Sequence, residues 1–413
     1  MEILMSSPTP APPVDLEDPA FLAGDRSTTY QRLRDDTPVL RLGDGGREDW
    51  IVSRHADVQA IMRNPGGRMQ PLGIDAPPWL VDGPALRRLR ANMAQTDQPV
   101  HRQLRGLVAP LFTGRQAEQL RNEAAAAARR ELDAARQDSG SFDAVADLAA
   151  QVPKGVLRQL IGMPEQDWAM LIETQLDFLM IFSPFPLDET QQARLNEVVS
   201  FYFTYFDDLL KNVTEPTELA RRLLAAERDG DLTHDQVLSI MHTVLDAGFE
   251  TTRTSISNAV ELFATVPGLL DEIRADPDLI PGAVEEFLRA RPPLHAHQRY
   301  LVEDYTALNG TTIPAGAHVL VLIGAANTDE RVFPEPDRID VRRENASRHM
   351  TFGGGLHHCL GAALARVQLQ ETVAELARRF QRIDIEGGPA ERHPSLIFPS
   401  LAALRVRATE SDR

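Results

Sequence analysis

The decapeptide Phe352-Gly353-Gly354-Gly355-Leu356-His357-His358-Cys359-Leu360-Gly361 contains the only cysteine in the chain. The glycines permit tight turns and let backbone come close to a flat ligand. A helical pattern begins just after Cys359, where unpaired N–H groups and the helix dipole favour a thiolate, and a thiolate is a metal ligand. Two plainer readings stand beside this one. A lone cysteine is often a small buried hydrophobe. A zinc site could use His357, His358 and Cys359, but ligands so tightly packed suit a tetrahedral site poorly, and no second Cys/His cluster lies nearby.

A second motif is Ala247-Gly248-Phe249-Glu250-Thr251-Thr252. Small residues at 247 and 248 would let a ligand approach a helix backbone. An acid beside an alcohol can pass protons inward, as oxygen activation needs. Taken alone, the segment also fits a bent structural helix. Glu286-Phe287-Leu288-Arg289 places opposite charges at i and i+3, where they can pair; such pairs are common on solvated surfaces. His101 and Arg105 share a helix face at i and i+4.

These residues need elements to hold them. Thr233-His234-Asp235-Gln236 looks like a capping box. The helix it opens runs to about Thr265, far beyond the ~11-residue mean, and is expected to cross the whole domain. Further helices are expected over 19–36, 56–63, 100–112, 115–136, 282–290 and 360–380. Strands at Val39–Leu42 and Trp50–Ser53 read as a hairpin around Gly43-Asp44-Gly45-Gly46, and 299–323 is β-like. Residues 64–99, rich in Gly and Pro, read as one long irregular segment of the kind that covers sites. The aromatic cluster at 165–212 is core or, around the break Ser183-Pro184-Phe185-Pro186, a mobile apolar lid. No internal repeat or composition break appears. The expected organisation is a disordered Pro-rich lead at 1–18 and a single domain at 19–413, mainly α with a small β-rich region.

The balance of 43 basic against 60 acidic residues, net −17, argues against nonspecific nucleic-acid binding. One cysteine cannot form a disulfide within the chain, which fits a reducing cytoplasm. The N-terminus lacks a basic start followed by an apolar run, and no stretch reaches the ~18 apolar residues that span a bilayer. A soluble cytoplasmic protein with no membrane partner is expected.

The chain resembles the cytochrome P450 family, whose haem loop reads F-G-x-G-x-H-x-C-x-G; every fixed position is matched here, through Phe352, His357, Cys359 and Gly361. Its oxygen-activation motif A-G-x-[D/E]-T is matched by Ala247, Gly248, Glu250 and Thr251. The resemblance covers about residues 20–407, with motifs in family order. It implies the triangular helical fold with a long central helix, and haem b (iron protoporphyrin IX) with Cys359 as iron ligand. A thiolate there favours O–O cleavage. It implies Glu250 and Thr251 delivering protons to bound oxygen. Glu286 and Arg289 become a buried structural pair completed by Arg338. His101, Arg105, Arg299 and His357 become propionate partners, since carboxylates at a pocket rim want Arg forks and His donors. Two departures, Ala326-Asn327-Thr328-Asp329-Glu330 and Gln368, lie away from the chemistry.

The implied reaction is hydroxylation or a related oxidation by O2, with a place in secondary metabolism. Electrons would come from a ferredoxin and its NAD(P)H-dependent reductase, docking on some of Arg87, Arg88, Arg90, Arg102 and Arg115. A peroxide-driven peroxygenase and a non-catalytic haem sensor are the alternatives. Family position nominates Leu72, Trp79, Phe178, Phe182, Thr243, Asp246, Leu294, His295 and the Phe398–Leu401 turn as substrate contacts. Most are apolar, which favours a hydrophobic small molecule. Asp246 or His295 could anchor a polar group on it, unless Asp246 turns into a structural hydrogen bond; His297 could touch a propionate instead.

Overall fold

The computed structural model describes residues 15–16, 18–43, 49–77, 79–80, 82–137 and 140–411. Its axis is the helix His234–Thr265. The capping box forms in both directions: Gln236 N–H donates to Thr233 Oγ1, and Thr233 N–H donates to Gln236 Oε1. The helix is buried on nearly all sides, its buried residues including polar ones such as His242, Asp246 and Glu250 that find partners inside. Helices Gln151–Ile161, Glu189–Asn212, Pro84–Ala91 and Ala362–Arg379 pack against it.

A five-stranded sheet flanks the helices, in the order Val39–Leu42, Asp49–Val52, His318–Leu322, Ala296–Leu301, Gly67–Arg68. The first two strands pair antiparallel, Val39 opposite Val52. Residues 44–48 of the expected turn lie outside the described residues. The β-like stretch at 299–323 holds two antiparallel pairs: Ala296–Leu301 with His318–Leu322, Arg299 opposite Val319, and between them the short hairpin Tyr305–Thr306 with Thr312–Ile313.

Local readings need correction in four places. The 19–36 helix is two, Pro19–Ala23 and Ser27–Asp36, and the 115–136 helix is likewise Gly114–Gln119 and Arg121–Gln137. The lead, mostly outside the described residues, is ordered at its end: Leu16 is buried, and Asp18 caps the helix at Pro19. The irregular segment at 64–99 contains the helix Pro84–Ala91, started by proline at N1 and buried through Ala85, Leu86 and Leu89. Its i, i+1, i+4 apolar spacing was the available signal.

The fourth concerns the charge pair on helix Ile280–Ala290. Arg289 donates to both oxygens of Glu286, at 2.7 and 2.8 Å, with neither side chain exposed. The third member is Arg343, 3.1 Å from Glu286, and not Arg338. Arg338 faces solvent beside Glu335. The chain after Pro334 folds back so that Arg343 reaches the carbonyl oxygens of Pro334, Glu335 and Arg338 as well as Glu286. Arg338 thus contributes its backbone, and the arginine five residues later contributes the charge.

Candidate active site

Between the central helix and the Phe352–Gly361 loop lies a cavity of about 310 Å³. Ala247, Gly248, Thr251 and Thr252 line one wall, and Phe352, Gly353, His358, Cys359 and Gly361 the other. The loop's course follows from its glycines. Gly353 and Gly355 have φ of 69° and 64°, and a Cβ on Gly355 would lie 2.7 Å from the Met62 carbonyl oxygen. Gly248 has a different reason: a Cβ there would meet Leu157 at 2.8 Å, so the glycine admits the helix Gln151–Ile161.

Cys359 N–H donates to the Phe352 carbonyl oxygen at 2.8 Å, and the helix Ala362–Arg379 starts just beyond. Burial pushes the Cys359 thiol up, outweighing the Gly361 N–H, Arg105 and Arg366, which favour the thiolate. The backbone and arginine contributions thus oppose burial at this sulfur. A coordinated metal cation reverses that balance, because a ligating thiol is deprotonated.

On the central helix, Thr251 Oγ1 donates to the Ala247 carbonyl oxygen at 2.7 Å. Glu250 is buried and held by a fork from Arg253, at 2.7 and 3.1 Å. Arg253 was not among the residues singled out in the sequence; its i+3 spacing from Glu250 was the signal.

The polar rim gathers His101, Arg105, Arg299 and His357. His101, Arg105 and His357 border the large cavity, while Arg299 and His357 border a second, polar one of about 250 Å³. The His101 and His357 rings lie 4.2 Å apart. Arg299 Nη1 is 2.9 Å from His297 Nδ1, and Arg105 donates to the His358 carbonyl oxygen at 2.8 Å. Burial depresses His101, His357 and, to about 3, His297; it lowers Arg299 to about 10. His101 Nε2 and Arg299 Nη2 are buried without a hydrogen-bond partner among the described residues. Buried donors left unpaired are costly, so this rim suits carboxylates. Two orphaned donors, a slot walled by backbone and a cysteine at its floor fit the haem group.

The predicted substrate contacts divide. Phe182, Thr243, Asp246, Leu294 and Phe398 border the cavity, with Phe182 and Phe398 edge to face at 5.6 Å. Four others do not border it. Leu72 is 43% exposed in its loop, and Trp79 packs on the core. Phe178 is fully buried behind Phe182, beneath the Arg88 guanidinium. His295 turns away, its Nδ1 3.0 Å from the Tyr30 hydroxyl, because its backbone is tied to Ile397 and Gly324. His295 lies just before the strand Ala296–Leu301, and His297 within the strand borders the cavity instead.

Asp246 does both things weighed for it: it borders the cavity and pairs with fully buried Arg88 at 3.0 Å. Burial pushes its carboxyl up to about 6 against the pull of Arg88. Arg88 therefore cannot belong to a docking patch. Arg87 and Arg90 are exposed but engaged with Asp235 and Asp75, which leaves Arg102 and Arg115 as exposed members.

Comparison with known proteins agrees with this geometry. The family model for cytochrome P450 matches residues 24–397. Mycinamicin IV hydroxylase/epoxidase of Micromonospora griseorubida is 36% identical over 362 residues, spanning 86% of this chain and 88% of that protein. Cytochrome P450 monooxygenase PikC of Streptomyces venezuelae is 33% identical over 391 residues, spanning 93% and 91%. The crystal structure of P450BioI in complex with hexadec-9Z-enoic acid ligated acyl carrier protein superposes with a TM-score of 0.85 at 27% identity, covering 94% of this chain and 98% of that one. The chain belongs to the cytochrome P450 family, has its fold, and is a monooxygenase of the haem-iron class. Among the described residues, no helix is long and apolar enough to cross a membrane.

Proposed function

We propose that this protein is a cytoplasmic haem b monooxygenase that inserts one oxygen atom of O2 into a mostly hydrophobic small molecule, RH + O2 + two electrons + two protons giving ROH + H2O. The observation that carries the reading is the cavity with Cys359 on one wall and Thr251, backed by Glu250, on the other. Haem iron held by the Cys359 thiolate would supply the redox chemistry and O–O cleavage. His101, Arg105, Arg299 and His357 would hold the propionates. Electrons come from a ferredoxin and its NAD(P)H-dependent reductase. A product of secondary metabolism is the substrate class suggested by what the relatives' names describe.

The chain's own part is proton supply and exclusion of bulk water. Thr251 presents its hydroxyl at the cavity wall, oriented by the Ala247 carbonyl. Glu250, next in the chain, is the carboxylate that would relay a proton to it. The Arg253 fork must loosen before the Glu250 carboxyl can take a proton, so Arg253 sets when Glu250 delivers. Phe182, Leu294 and Phe398 keep the substrate side apolar.

Replacing Thr251 with alanine tests this. With a compound that shifts the Soret band, product per NAD(P)H consumed is expected to fall by roughly 10²-fold, while NAD(P)H and O2 are still consumed. Unchanged coupling would contradict the proposal and favour peroxide-driven chemistry. Absence of any oxidised product from the unaltered protein would favour a haem sensor.

A further inference from the structure

The cavity's polar groups away from Cys359 are unevenly matched. Thr243 donates its hydroxyl to the Ser239 carbonyl at 2.7 Å, so it offers only lone pairs. Glu250 accepts three bonds, two from the Arg253 fork and one from the Thr254 hydroxyl. Gln95, which also borders the cavity, is 7% exposed, and its Oε1 is buried without a partner among the described residues. Asp246 accepts from Arg88 on Oδ2 and from the Ala247 N–H on Oδ1. A carboxylate has about four acceptor positions, so capacity remains. Thr243, Asp246 and Gln95 thus present acceptors to a space otherwise lined by Leu179, Phe182, Leu294 and Phe398.

Packing alone does not account for the Asp246 pair. Arg88 and Asp246 are 0% and 3% exposed, and burying two charges costs more than an apolar pair of similar volume. Arg88 also donates to His242 Nδ1 at 3.1 Å, yet its Nη1 has no partner among the described residues. The pair holds one carboxylate at the edge of the apolar cavity and fixes its direction from the covering helix Pro84–Ala91.

We propose that Asp246, positioned by Arg88, is the specificity-determining anchor for a hydroxyl or protonated amine on an otherwise apolar substrate. This deepens the monooxygenase reading and rests on it. Thr243 lies on the same helix face at i−3, and Gln95 borders the same cavity with a further acceptor. Five residues separate Asp246 from Thr251, roughly 7.5 Å along the helix axis.

The test uses haem-loaded protein, calorimetry and the Soret shift, with cyclododecane, cyclododecanol and N,N-dimethylcyclododecylamine as probes. The alcohol-to-hydrocarbon or amine-to-hydrocarbon affinity ratio is expected to fall roughly tenfold in Asp246→Asn, with cyclododecane affinity retained. Because Asp246→Asn leaves Arg88 buried without its partner, the double variant Arg88→Met/Asp246→Leu is measured beside it and is expected to show the same loss. A fall in the alcohol ratio assigns a hydroxyl, and a fall in the amine ratio assigns an ammonium. Ratios unchanged in the folded double variant overturn the inference while a normal Soret band leaves the monooxygenase reading standing. Absence of a Soret band from the unaltered protein overturns both.

Discussion

Cys359→Ser is expected to abolish oxygenation and to remove the ferrous–carbon monoxide spectrum that marks thiolate ligation. The chain has no second cysteine to substitute. A serine hydroxyl is too weak an acid to take the thiolate's place, and the axial thiolate is what favours O–O cleavage. The scaffold should survive. The Cys359 N–H bond to the Phe352 carbonyl belongs to the backbone, and the turns are set by Gly353 and Gly355. Far-ultraviolet circular dichroism of the variant should therefore match the unaltered protein. A variant that kept both the thiolate spectrum and product formation would remove Cys359 from the centre of the account.

The second large effect is structural. Glu286→Ala is expected to cost about 3–5 kcal/mol, because it strands the charges of Arg289 and Arg343 in the interior. Glu286 accepts from both arginines and from the Asp340 N–H at 3.0 Å. Arg289 also donates to the carbonyl oxygens of Asn327 and Pro336. The Asn327 side chain then binds Met350 N–H and Thr351 Oγ1, and Thr351 Oγ1 donates to the Leu288 carbonyl. The pair thus reaches the segment that leads into the cysteine loop. Urea melts should show the loss directly, together with weakened haem retention. Arg338→Ala, at an exposed pair, should change stability by less than about 1 kcal/mol. Equal effects from Glu286→Ala and Arg338→Ala would contradict the assignment of Arg343.

Elements with a strong period or a definite cap were readable in the chain. The helix His234–Thr265 announced itself through its capping box, and the antiparallel hairpin through its two apolar runs. The Cys359 loop and the Glu250/Thr251 segment were legible because their chemistry is local. What was not legible depends on which residues meet across long separations. Arg88 reads as a surface charge on its own helix and becomes buried only because Asp246, 158 residues later, lies opposite. Nothing local separates Arg338 from Arg343. The helix Pro84–Ala91 was hidden by surrounding Gly and Pro, although its apolar spacing was present. On a regular strand His295 and His297 would share a face; His295 lies before the strand and is turned from the cavity by Tyr30, 265 residues away, which nothing local announces.

The most direct measurement is the absorption spectrum of the purified protein after reduction under carbon monoxide. The account predicts a haem Soret band carrying the red shift of thiolate ligation. A colourless protein, or a haem band without that shift, would contradict it.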